Sequence, residues 1–75
     1  MKRGAGVHTV PAGTGWANEE NGRLVSSHRT REAAIDAGRE LARREKVEHT
    51  IHKMDGTIGE KNSYGSDPNP PRDRN

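Results

Sequence analysis

The segment TREAAIDAGRELARREK, residues 30–46, constrains the fold more than any other part of the chain, because it carries the strongest periodicity in it. Ala34, Ile35, Gly38, Leu41 and Ala42 recur at helical spacing and form one narrow apolar stripe. The pattern predicts a helix from about Arg31 to Glu45. Thr30 is placed to cap its start, Glu32 suits the positive end of the helix dipole, and Arg43, Arg44 and Lys46 suit the negative end. Asp36 with Arg39 and Glu40 with Arg44 can pair along the exposed side, each pair contributing ~0.2–0.5 kcal/mol. Gly38 lies on the apolar stripe at a cost of ~1 kcal/mol relative to Ala, which predicts that something packs closely against it.

A helix with so thin a stripe needs a sheet to lie on, and the flanking segments read as strands. After the helix, VEHTIHKMDGTIGEK contains Asp55-Gly56, a strong turn signal between two strand-like flanks. A two-residue hairpin sets Met54 opposite Thr57 and Lys53 opposite Ile58. That register places Val47, His49, Ile51 and Ile58 on one face, toward the helix, and Glu48, Thr50 and His52 on the other. Before the helix, GVHTVPAG, GWANEENG and RLVSSH read as three short strands separated by turns at residues 11–15 and at Asn21-Gly22. The expected architecture is β-β-β-α-β-β in the α+β class: an antiparallel sheet of four to five short strands with one helix packed on a face. Residues 1–6 are expected to be a flexible start, 7–65 the single domain, and 66–75 a disordered Pro-rich tail.

Composition limits what such a domain can do. Only 27% of the 75 residues are apolar and Phe is absent, so the core candidates reduce to Val7, Val10, Trp16, Leu24, Val25, Ala34, Ile35, Leu41, Ala42, Val47, Ile51 and Ile58. One small cluster leaves no room for an enclosed ligand cavity, so no small-molecule substrate and no enzymatic activity are expected. With no cysteine there are no disulfides and no thiolate metal sites. MKRGAGVHTV lacks the apolar run of a signal peptide, and no stretch is long and apolar enough for a membrane span, which predicts a soluble cytoplasmic protein.

Several fragments fall into a recognisable order: HTVP at 8–11, GW at 15–16, Ser-His-x-Thr followed by EAA at 27–34, ELARRE at the helix end, IHKMDGTI, and KNSYGSDPNP at 61–70. Together they resemble a family of small bacterial proteins known as domain of unknown function 2188. The resemblance spans about residues 7 to 70, with the Asp-Gly hairpin and Ser-Tyr-Gly-x-Asp-Pro its most specific part. Because the family has no established activity, it implies a fold and a bacterial cytoplasmic setting without a mechanism. The departure is WANEEN, which is more polar around Trp16 than the family pattern.

Four histidines, His8, His28, His49 and His52, invite a metal reading. His49 and His52, three apart in a strand, point to opposite faces, and no Cys or carboxylate spacing completes a site, so neither a metal nor a cofactor is expected. Ser26 or Ser27 beside His28 is adjacency along a strand, which sets side chains on opposite faces and makes no nucleophile–base pair. GAG at 4–6 and GTG at 13–15 open no helix and read as flexible start and turn. Glu19-Glu20 reads as a solvated hairpin tip.

The net charge of +2 describes a mixed surface, although residues 23–46 gather Arg23, Arg29, Arg31, Arg39, Arg43, Arg44 and Lys46. The leading functional expectation is a non-enzymatic interaction module, binding a protein partner or a second copy through exposed strand edges. The alternative is weak electrostatic binding of nucleic acid through Arg23, Arg29 and Arg31. Trp16 and Tyr64, the two aromatic residues, are expected to act structurally, with Tyr64 as a latch over the core near Trp16 or the helix.

Overall fold

A computed structural model describes residues 6–64, so the expected tail over 66–75 and all but the last residue of the expected start over 1–6 lie outside the described residues. The elements follow the expected order: β1 (Val7–Ala12), β2 (Gly15–Glu20), β3 (Arg23–His28), α1 (Arg31–Glu45), β4 (Glu48–His52) and β5 (Ile58–Ser63). They build a five-stranded sheet in the order β3-β2-β1-β4-β5, with α1 across one face against β1, β2, β3 and β4. The domain is α+β, and its sheet is mostly antiparallel. The exception lies at the centre, where β1 and β4 run parallel, Val7 opposite His49 and Thr9 opposite Ile51. A parallel pair needs a long crossover, which β2, β3 and α1 supply.

The turns follow from local chemistry. Asn21 (φ 56°) and Gly22 (φ 78°) both occupy the left-handed region, the signature of the type I′ turn whose twist matches a tight hairpin. Asp55-Gly56 behaves differently. Gly56 alone has positive φ (92°), its N–H donates to the Lys53 carbonyl at 2.8 Å, and the Lys53 N–H donates to the Thr57 carbonyl at 2.7 Å. The connection is therefore a three-residue loop ending in a glycine bulge, stabilised by Asp55 Oδ1 accepting from the Thr57 N–H and hydroxyl. This shifts the expected register by one residue at the turn, where Lys53 faces Thr57 and His52 faces Ile58, and a bulge between Ile51 and His52 then restores it, with Ile51 opposite Glu60, Thr50 opposite Lys61 and His49 opposite Asn62. A one-residue slip moves a side chain to the other face, so Ile58 leaves the helix side and is 56% exposed.

The helix has the expected bounds. Thr30 Oγ1 accepts from the Ala33 N–H at 3.1 Å. At the other end Lys46 is left-handed (φ 59°), its N–H reaching the Arg43 carbonyl at 3.3 Å while the Val47 N–H reaches Ala42 at 3.0 Å, a Schellman closure. Asp36 pairs with Arg39 as expected, and Glu40 pairs with Arg43 in place of Arg44. Ala34, Gly38 and Ala42 form the buried line of the helix. Small side chains there let it lie close to the sheet.

The apolar core consists of Val7, Trp16, Ala17, Ala34, Ala42 and Ile51. Trp16 is 7% exposed despite its polar neighbours in the sequence. Leu24 and Val25 are not core residues. Leu24 pairs with Glu19 on the face away from the helix, and a bulge opposite Asn18 and Glu19 leaves Val25 out of the pairing.

Candidate functional site

Beneath Gly38 the sheet is polar. Register places Thr9 opposite Asn18, and the parallel pairing brings His49 alongside, so three adjacent strands contribute one buried cluster. Thr9 Oγ1 donates to Asn18 Oδ1 at 2.6 Å, which uses its one hydrogen, so the 2.7 Å contact with His49 Nε2 requires that nitrogen to be the donor. His49 is thereby fixed with its hydrogen on Nε2, leaving a buried Nδ1 lone pair with no hydrogen-bond partner among the described residues. Burial holds the His49 pKa below its usual value, helped by the charge of Arg39 and opposed by Glu60. Asn18 Nδ2 donates to the Ala34 carbonyl at 2.9 Å and to Ser26 Oγ at 3.2 Å.

Ser26 Oγ in turn lies 3.0 Å from His28 Nε2. Ser27 sits on the face opposite His28, as expected, but Ser26 is two residues away and shares its face, which corrects the expectation for that pair. The resulting chain, His49–Thr9–Asn18–Ser26–His28, crosses four strands on the helix-covered side, where it fastens helix to sheet. Its purely polar letters gave no apolar signal by which a sequence pattern could find it.

On the uncovered face, the parallel β1–β4 pairing sets His8 beside His52. His52 Nδ1 lies 3.0 Å from the Gly56 carbonyl, which can only accept, so Nδ1 carries the hydrogen and Nε2 is bare. His52 Nε2 then accepts from His8 Nδ1 at 3.1 Å, with ring centroids 5.4 Å apart. His49 and His52 do point to opposite faces. The missed signal was the partner of His52, which lies 44 positions away. Among the described residues no group of three or more His, Asp or Glu is placed to hold a metal ion.

The three arginines do not form one patch. The Arg31 guanidinium stands 5.4 Å over the Trp16 ring, a contact worth ~0.5–1 kcal/mol at an exposed site. Arg29 lines an open depression of ≈ 500 Å³ with Trp16, Thr14 and His28. Arg23 begins β3 at its other end, roughly 20 Å away at ~3.3 Å per residue. Tyr64 is half-buried and donates its N–H to the Val47 carbonyl at 3.4 Å. Register puts it beside the Val7 end of the sheet, the end opposite Trp16, so a latch over Trp16 is ruled out. Glu19 and Glu20 are half-buried strand residues, not a hairpin tip, and a hydrogen bond with Glu45 pushes the Glu20 pKa up.

Fold and surface together define a small α+β domain, one helix on a mostly antiparallel five-stranded sheet, with no helix among the described residues long and apolar enough to cross a membrane. Residues 7–64 match the model of a family described as an uncharacterised protein conserved in bacteria, domain of unknown function 2188. The chain belongs to this family. No curated protein and no solved structure matches it.

Proposed function

We propose that the domain is a non-enzymatic interaction module that receives an extended segment of a protein partner along the outer edge of β3. One observation carries this reading: β3 ends the sheet with Leu24 64% and Val25 46% exposed in an uncharged Leu-Val-Ser-Ser run. The other outer strand, β5, carries Glu60 and Lys61, with Lys61 tied to Glu48 at 3.8 Å. Charges on an edge strand discourage pairing, so the two edges differ in kind. Arg23 stands at one end of the apolar run and Arg29 at the other. An antiparallel second copy would set Arg23 near His28 and Arg29 of its mate, cation against cation, whereas an extended peptide with an apolar centre and acidic flanks meets both ends favourably. The spread of the arginines along a strand also favours such a ligand over a compact phosphate cluster.

The test is selection of peptides from a displayed random library against the whole chain, followed by titration of the selected peptide into ¹⁵N-labelled protein. Acidic–apolar peptides that shift residues 23–29, and whose binding is abolished in a Leu24→Asp, Val25→Asp double variant, support the proposal. Peptides that map to β5 or α1 overturn it. Concentration-dependent sedimentation without peptide selects self-association in its place, and salt-steep binding of duplex DNA selects the nucleic-acid reading.

A further inference from the structure

We propose, resting on the reading of β3 as a peptide-receiving edge, that the depression beyond His28 binds one carboxylate side chain of the received segment. The edge then demands an acidic residue at its Arg29 end and not at its Arg23 end. The depression measures ≈ 500 Å³ and is lined by Thr14 of the β1–β2 turn, by Trp16 of β2, and by Ser27, His28 and Arg29 where β3 finishes. That volume is enough for a whole side chain with its stem.

The lining sets the sign of the group it takes. Each of its polar side chains can donate a hydrogen bond, and none is a carboxylate. Among the described residues no ion pair or hydrogen bond engages the Arg29 guanidinium or the hydroxyls of Thr14 and Ser27. A second cation stands close by, the Arg31 guanidinium 5.4 Å over the Trp16 ring. Glu32, the acid of the first helical turn, is set on the other flank of α1, in a groove with Asp36 and Glu60. A charged donor set with no acid in its wall favours an oxyanion, and a guanidinium fork matches the two oxygens of a carboxylate.

The Arg23 end is different. Glu20 lies across from Arg23, Glu19 lies across from Leu24, and Glu45 hydrogen-bonds with Glu20. Three carboxylates there oppose the acidic flank that Arg23 alone would attract. The two ends of one strand therefore differ in field, and a segment with a single acid binds with that acid beyond His28.

The experiment uses the full chain and the peptide selected on the β3 edge, synthesised with acetylated and amidated ends, and variants in which each of its acidic residues in turn is glutamine. A nitroxide on one end of the peptide shows which end lies beside residues 27–29. Binding is followed by titration and by the emission of Trp16, the single tryptophan of the chain. Glutamine at the end beside residues 27–29 should weaken binding about five- to tenfold and remove the change in Trp16 emission, whereas glutamine near Arg23 should cost about twofold or less. Arg29→Gln should abolish the difference between the glutamate and glutamine peptides, and Arg23→Gln should keep it. Peptides that map to residues 23–29 but carry no acid beyond His28, or whose discrimination survives in Arg29→Gln, overturn this inference and leave the edge reading standing. Recognition only of a peptide with a free C-terminus overturns the side-chain source. Peptides that map away from β3 overturn both.

Discussion

His49 donates from Nε2 to Thr9 Oγ1 at 2.7 Å directly under Gly38, so the sheet beneath that glycine is polar and has no space for a methyl group. A Cβ at position 38 would lie 2.5 Å from Asn18 Oδ1, 2.7 Å from His49 Nε2 and 3.0 Å from Thr9 Oγ1.

Gly38→Ala therefore sets two effects against each other. Helix propensity favours alanine by ~1 kcal/mol, and overpacking a filled interface costs typically ~1–3 kcal/mol while also disturbing three buried hydrogen-bonding atoms. The packing effect wins, and the melting temperature should fall by several degrees in a thermal scan. A rise would mean that the helix can lift without cost.

Acid should weaken the domain through His49. Its folded pKa lies below the usual 6.5 because burial disfavours the charged ring. As pH falls, the unfolded chain takes up this proton first, so the stability is fully present above about pH 6.5 and is lost as pH drops from there toward the folded value. Urea midpoints between pH 8 and 5 should decline, and the His49 ring should titrate below the usual 6.5 by NMR.

Glu20 and Glu45 give the opposite dependence. The folded Glu20 pKa is raised, chiefly by the hydrogen bond with Glu45, so this contribution is whole below the usual 4.5 and disappears as pH rises through the folded value. At pH 7 the two carboxylates repel. Glu45→Gln should raise the melting temperature at pH 7 and leave it unchanged below about pH 4, with the gain shrinking in high salt.

Lys46 closes the helix in the left-handed region, where a side chain costs roughly 1–2 kcal/mol that glycine avoids. Lys46→Gly should stabilise the domain by about 0.5–1 kcal/mol, since glycine returns part of that gain as chain entropy when unfolded. Calorimetry of the two proteins compares them directly.

The helix was legible because its signal is local. Thr30, the Ala34–Gly38–Ala42 line and the closing basic residues act within a few turns, and Gly38 even announced a close approach. The Asn21-Gly22 turn was legible for the same reason. Ile58 was not, because Asp-Gly serves both a two-residue turn and a bulged three-residue loop, and the choice shifts Thr57 and Ile58 until the bulge between Ile51 and His52 restores the register. His8 with His52, and Thr9 with His49, were hidden because they depend on a pairing between strands far apart in the chain. Of the two positions expected for Tyr64, that near Trp16 failed for the same reason: the distance between the two residues is set by strand order, which no local pattern encodes.

That central parallel pairing also fixes an order of assembly. β1, β2, β3 and α1 lie together in sequence and can associate as soon as they leave the ribosome, whereas β4 must close a loop of roughly forty residues before its contacts with β1 form. Until then the middle of the finished sheet is an open border, and the helix rests on β1, β2 and β3 without β4. The hairpin of β4 and β5 is thus the keystone of the fold, set last and holding both sides.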